Sequence, residues 1–310
     1  MPKEGTRAPL PLGTQVVVRL TAGVAGHGDV TTGSVGEVVS VPETRSGTYR
    51  VRFPSGAELA LPRRQLESRK KLQKEAAGES LPVEQRPLLQ CVAFRCVVGS
   101  RAYGLERDGS DTDRRGFYIA PSDLHWSFAG APEQLEDHSS QECYWELQKF
   151  LILALRANPN VLECLYTPLV EFASPAAREL LGMRCIFLSK LVYQTYSGYV
   201  MSQFKKLSTD LRLKGAIRWK HPMHLIRLLL SGITVLSDGF VPLRIDEHRG
   251  SLLEIRDGKW KWAEVNAWRL RLHRQFDQAY AKTRLPDAPD FSRANNFLIR
   301  VRRAQVEGTL

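Results

Sequence analysis

Cys96-Val-Val-Gly99-Ser100-Arg101-Ala-Tyr103-Gly104, and shortly after it Ser110-Asp111-Thr-Asp113-Arg-Arg-Gly116-Phe-Tyr118-Ile119, carry more chemical information than any other part of this chain. The apolar run Val92 to Val98 predicts a buried strand that breaks at Gly99-Ser100 into a turn able to open a helix. Backbone amides cluster at such a turn, where phosphate oxygens can sit. The next apolar run, Phe117 to Ile119, follows Asp111 and Asp113. On an extended strand, residues two apart face the same way, so this pair would grip one or two hard cations. A phosphate cradle beside paired carboxylates is the equipment for metal-assisted attack on phosphorus.

Each of these residues also has a plainer role open to it. Asp108-Gly-Ser-Asp111 is rich in turn formers, and Asp113 has Arg114 and Arg115 beside it as ion-pair partners. Taken alone, the aspartates read as a turn; the Gly-Ser element upstream tips the balance to a metal site. Gly99 and Ser100 fit a strand-to-helix connector capped by the serine, which is equally a place for a triphosphate.

The order and spacing of Val98-Gly99-Ser100 and Asp111-Thr-Asp113 resemble the signature of the DNA polymerase beta nucleotidyltransferase superfamily. That signature is an apolar residue, Gly, then Gly or Ser, a gap of about ten residues, and Asp-x-Asp or Asp-x-Glu. Gly99 to Gly104, Ser110 to Gly116, Trp145-Glu-Leu-Gln-Lys-Phe150 and Asn158-Pro-Asn-Val-Leu-Glu163 resemble its bacterial and phage branch associated with RNA ligases. Lys220-His-Pro-Met-His-Leu-Ile-Arg227 and Leu285-Pro-Asp-Ala-Pro-Asp290 do so too, so the likeness covers roughly residues 88 to 303.

The resemblance implies an α/β catalytic core with a mixed sheet, Mg²⁺ or Mn²⁺ held by Asp111 and Asp113, and a nucleoside triphosphate resting on Gly99 and Ser100. The nucleoside monophosphate would pass to a hydroxyl acceptor, RNA first among them, in end processing or repair. A third carboxylate in the superfamily arrives on a strand after the pair, and here Glu142 and Glu146 compete for it. Glu142 is preferred, because a short extended segment there would precede a helix; Glu146 would instead cap that helix or join a salt bridge. Arg101 and Tyr103 are further nucleotide-binding candidates, with Arg114 and Arg115 shared between phosphate contact and support. Lys220 is the triphosphate contact expected from the helical part, with Lys205 and Lys206 as an alternative pair. His224 reads as a core histidine, and the tryptophans at 219, 260, 262 and 268 as packing.

The remaining chain sets the frame. Its 310 residues suit two or three domains, and 43% hydrophobic with 25% charged residues is the composition of an ordinary globular chain. No apolar run reaches the ~20 residues of a membrane helix. Met-Pro-Lys-Glu-Gly lacks an apolar signal core, which makes a cytoplasmic address and no membrane partner the expectation. Five scattered cysteines form neither a Cys-x-x-Cys pair nor a zinc pattern and read as reduced core residues, with Cys143 of interest beside a candidate carboxylate. From Met201 to Leu310 there are 21 Lys or Arg against 11 Asp or Glu, so this third holds nearly all of the net +11. Such a basic lobe suits a polyanion, or is a solvated helix surface.

The expected fold class is α+β in four parts. Residues 1 to 68, with strand-like runs at 15 to 20, 36 to 41, 48 to 53 and 57 to 61, resemble an SH3-like β-barrel, on which Arg50, Arg52, Arg63 and Arg64 make a phosphate patch or a solvent face. Residues 69 to 87 read as a linker, 88 to 167 as the catalytic core with a loop at 129 to 140, and 168 to 310 as an all-helical region. Two rivals stand beside the RNA-directed enzyme. One is a non-catalytic RNA-binding adaptor; the other is a nucleotidyltransferase acting on a protein hydroxyl or a small molecule such as an aminoglycoside.

Overall fold

A computed structural model of the protein describes residues 8–19, 30–44, 47–76, 85, 87–137, 140–214 and 217–309. Its contacts divide the chain into two compact units, Met1–Val83 and Glu84–Leu310.

In the first unit, β1 (Gln15–Val18), β2 (Val35–Ser40), β3 (Thr48–Arg52), β4 (Glu58–Pro62) and β5 (Leu66–Ser68) form one antiparallel sheet in the order β4-β3-β2-β1-β5. Strand alternation sends Tyr49 and Val51 into a core with Val16, Val38, Phe53 and Leu66, and leaves Arg50 and Arg52 in solvent, as the sequence pattern predicts. Leu20, the end of the first expected strand, lies outside the described residues. β4 and β5 are the two edges, and no ladder joins them among the described residues. The expected SH3-like barrel is therefore an open five-stranded sheet here. Arg52 and Arg63, two of the candidate arginines, have partners within this unit. Arg52 pairs with Glu58 at 2.9 Å, and Arg63 donates to the carbonyls of Ala8 and Leu66. Helix α1 (Arg69–Ala76) follows β5 directly, at the start of the expected linker.

The second unit is built on a mixed sheet of β6 (Val92–Val98), β7 (Asp113–Tyr118), β8 (Gln134–Asp137), β9 (Glu142–Glu146) and β10 (Val170–Ala173), ordered β10-β6-β7-β9-β8. Only β7 and β9 run parallel. One-turn helix α2 (Gly99–Ala102) follows β6, and α3 (Ser122–Trp126) follows β7. Next come α4 (Leu147–Leu155), α5 (Pro159–Tyr166), α6 (Pro175–Gly182), α7 (Leu191–Lys214), α8 (Lys220–Asp238), α9 (Arg249–Arg256), α10 (Trp262–Lys282) and α11 (Phe291–Val306).

One face of the sheet carries Phe94 and Phe117, which meet each other at 5.8 Å and lead to Phe150 of α4, 5.1 Å from Phe117. Each such ring contributes roughly 1.5–3 kcal/mol on burial. This core runs on without a break through α5 into α7, α8 and α10, where Leu229 and Phe276 are fully buried. Gly116 lets β6 and β7 close up, since a Cβ there would overlap the Phe94 carbonyl.

Two expectations are corrected here. The hydrophilic span from 129 to 140 contains the edge strand β8, recruited by pairing with β9 rather than by its own propensity. Past Pro168 the chain is not all helical, because β10 adds to the free edge of β6. Helix α9, only two turns long, was too short to stand out as a period.

Candidate active site

Where β6 ends, the backbone turns at Gly99 with φ +73°, a left-handed conformation that only glycine adopts freely. A Cβ on Gly99 would lie 2.5 Å from Asp113 Oδ2, so any side chain would push the carboxylate away. The register explains the proximity: Val98 pairs with Asp113 across the β6–β7 ladder. Asp113 is thus the first residue of β7, whereas Asp111 sits two residues earlier in the preceding loop, not on the extended strand the sequence suggested. That loop is held in shape locally. Arg107 N donates to Ser110 Oγ at 2.9 Å, Ser110 N donates to Arg107 O, and Arg101 Nη2 donates to Ser110 O at 2.9 Å. The turn expected as the plainer reading of these aspartates is present at 107–110, and the carboxylates stand at its exit.

Gly99, Ser100, Asp111 and Asp113 line one cavity of about 530 Å³, within the range of small-ligand sites. Lys220 and His224, from the first turns of α8, and Arg256, the last residue of α9, line it from the helical elements. Arg107 and Asp108, from the loop before Asp111, line it too. Anchoring comes from side chains of and beside α9: Arg249 and Arg256 donate to the carbonyls of Gly104 and Leu105, and Arg107 pairs with Asp257. The sequence reading missed Arg107, Asp108 and Arg256, because nothing in their local pattern marks them; the fold alone brings α9 to the loop. His224, read as a core residue, is partly exposed and lines this cavity. Burial, together with the cations Arg227, Lys220 and Arg256, pushes its pKa down to about 3, so it is neutral at ordinary pH.

Tyr103 also touches the cavity, yet it is fixed by a buried network. Its hydroxyl donates to Glu163 Oε2 of α5 at 2.5 Å, and the Arg227 guanidinium of α8 lies 3.8 Å from its ring centroid. Arg227 in turn donates to Glu163 Oε1 at 2.6 Å. Burial raises the Tyr103 pKa well above that of a free tyrosine, Arg227 opposing and Glu163 reinforcing the shift. For Arg227, burial acts to lower the pKa but the Glu163 carboxylate outweighs it and raises it, so the guanidinium stays charged. Since Arg227 covers one face of the ring, that face is closed to a nucleobase.

The two glutamates proposed as a third carboxylate do not reach the cavity. In the parallel β7–β9 ladder Arg114 pairs with Glu142 and Arg115 with Cys143, and paired residues share a face. Glu142 therefore lies on the face opposite Asp113, where its Oε2 accepts from the Tyr144 hydroxyl at 2.7 Å. Arg114 on that face pairs with Glu171 at 2.8 Å. The β9 residue on the Asp113 face is Cys143, whose thiol burial pushes up to about 11. Glu146 caps α4 by accepting from Gln148 N at 2.7 Å, with His125 and Arg302 nearby. Arg101 braces the loop and does not line the cavity. Arg115 stands 3.5 Å from Asp113 Oδ1 and donates to the carbonyls of Arg114 and Gln141. Cys96, Cys143 and Cys164 are buried, as expected, but Cys185 is exposed.

Among the described residues, no group of three or more His, Cys, Asp or Glu is arranged to hold a metal. The donor set nevertheless fits a hard divalent cation. Two carboxylates face a cavity that Gly99 keeps open, and Mg²⁺ is commonly held by one or two carboxylates plus substrate phosphates.

The Gly-Ser turn that closes β6 and the aspartate at the start of β7 are arranged as the resemblance to the polymerase beta superfamily of nucleotidyltransferases implies. Within that class, the model of the RNA repair pathway DNA polymerase beta family (RlaP) matches residues 83–300. The chain belongs to that family, and the match leaves out the N-terminal sheet. No curated protein and no solved structure matches the chain. No helix among the described residues is long and apolar enough to cross a membrane.

Proposed function

We propose that the protein transfers a nucleoside monophosphate from a nucleoside triphosphate to an RNA hydroxyl, in a reaction dependent on Mg²⁺. The observation that carries this reading is the convergence of Gly99, Ser100, Asp111 and Asp113 on one cavity with cations in its lining. Asp111 and Asp113 would hold the cation, which when bound supplies charge neutralisation at the phosphates and lowers the pKa of the attacking hydroxyl. Glu142 has no part in this set, because its strand register turns it away. The Gly99–Ser100 turn accommodates phosphate oxygens against backbone, with Lys220 and Arg256 offsetting their charge from the helical elements. Neutral His224 stands among these cations as a hydrogen-bonding group that adds no further charge. The chain's own residues therefore bind, orient and neutralise, and carry no covalent intermediate.

The test is incubation of the full-length protein with each α-labelled triphosphate, Mg²⁺ and total RNA. The expected result is label in RNA with release of pyrophosphate, abolished by chelation. Label appearing only in protein or a small molecule would move the acceptor to another class, and no turnover of any triphosphate would leave the non-catalytic adaptor.

A further inference from the structure

A second cavity in the same unit, of about 600 Å³, lies between α7 and α10 and is lined by Met201, Phe204 and Lys205 of α7 and by Arg269 and His273 of α10. Phe204 is 39% exposed and Met201 71%. The Arg269 guanidinium lies 5.2 Å from the Phe204 ring centroid, and the Trp262 ring packs on the same phenylalanine at 6.2 Å. On α10, Trp262, Arg269 and His273 fall on one helical face, at spacings of seven and four residues. The buried Nδ1 of His273 has no hydrogen-bond partner. Lys205 and Lys206 are exposed beside the groove.

Charge narrows the occupant. Two cations, Lys205 and Arg269, and no acidic residue are among those lining the groove. An apolar protein helix would leave Lys205 and Arg269 without a counter-charge, whereas single-stranded nucleic acid offers bases for the apolar lining and phosphates for the two cations. One contact joins the helices that carry the two cavities, α7 and α8. His221 Nδ1, next in sequence to Lys220 of the first cavity, lies 3.1 Å from Gln203 Oε1, next in sequence to Phe204 of the second.

We propose that this groove binds single-stranded RNA and guides the acceptor strand toward the cavity at Asp111 and Asp113. Phe204 supplies the stacking platform, and Lys205, Arg269 and His273 face the backbone. The role as acceptor guide rests on the reading given under Proposed function, while the binding itself does not.

The test uses the full chain and a fluorescent 12-nucleotide oligouridylate, with binding followed by anisotropy over a range of salt. Wild-type protein is expected to bind with a steep salt dependence. Phe204→Ala is expected to weaken binding about tenfold, with Phe204→Trp restoring it, as loss and return of one stacked base require. Lys205→Ala and Arg269→Ala should each reduce the slope of log affinity against log salt by about 0.7. Because Phe204 is part exposed, its truncation should leave the thermal unfolding midpoint near wild type. Asp113→Asn should bind the oligomer unchanged, so a failure of catalysis and a failure of this groove give different results. Unaltered binding by the Phe204→Ala and Arg269→Ala variants, or a wild-type groove that takes an acidic peptide or a second copy of the chain but no RNA, overturns the proposal.

Discussion

Asp113→Asn is expected to lower label transfer by on the order of 10³-fold, about 4 kcal/mol of transition-state stabilisation, with little change in folding. The side chain keeps its size and its 35% exposure, and the neighbouring Arg115 retains two backbone carbonyls as partners. What the amide loses is the negative charge that would hold a divalent cation against the Gly99 turn. Asp111→Asn should cost a similar amount, being the second carboxylate on the cavity. Glu142→Gln is the informative control. It sits on the opposite face of the sheet with Tyr144 as its partner, so it should keep activity within a few-fold of wild type. Rates for triphosphate turnover across these three variants, set beside their urea midpoints, check the assignment. Wild-type transfer by Asp113→Asn, or a loss at Glu142 equal to that at Asp113, would contradict it.

The second large effect falls on stability. Arg227→Met is expected to destabilise the Glu84–Leu310 unit by about 3–5 kcal/mol, the cost of stranding a buried partner. Arg227 and Glu163 are both nearly inaccessible, at 5% and 3% side-chain exposure, and meet at 2.6 Å. Without the guanidinium, the Tyr103 hydroxyl is the side-chain partner left to Glu163 among the described residues, in a core made largely of apolar side chains. Pairing the change with Glu163→Gln should recover much of the loss, because the amide remains a partner for Tyr103 while no charge is left buried. The effect reaches the site as well, since Tyr103 ends the turn of helix that begins at Gly99. Denaturant titration of the single and double variants measures this. A single variant as stable as wild type would mean the pair is dispensable.

Much of this site was legible in the sequence because the decisive features are local. Gly99 declares its left-handed φ through its identity, and the spacing to Asp113 matches a strand, a turn and a returning strand. Glu142 was misplaced for a physical reason. Side-chain facing reverses with each residue of a strand, so a register of one decides whether Glu142 or Cys143 joins Asp113, and sequence does not encode that register. Arg107, Asp108 and Arg256 were invisible for a different reason, since their place on the cavity depends on α9 packing across a gap of some 150 residues. The network of Tyr103, Glu163 and Arg227 spans three elements in the same way. In the N-terminal unit, alternation along β3 predicted its two faces correctly, while closure of the sheet depends on partners that no single strand specifies.

The claim beneath all of this is that Asp111 and Asp113 together hold a divalent cation before the Gly99–Ser100 turn. Titrating Mn²⁺ into the protein, with a triphosphate that cannot be cleaved between its α- and β-phosphates, tests it through water-proton relaxation. Wild-type protein should enhance relaxation well above the nucleotide complex alone, and an Asp111→Asn, Asp113→Asn double variant should not. Equal enhancement in both proteins would place the ion elsewhere and contradict the account.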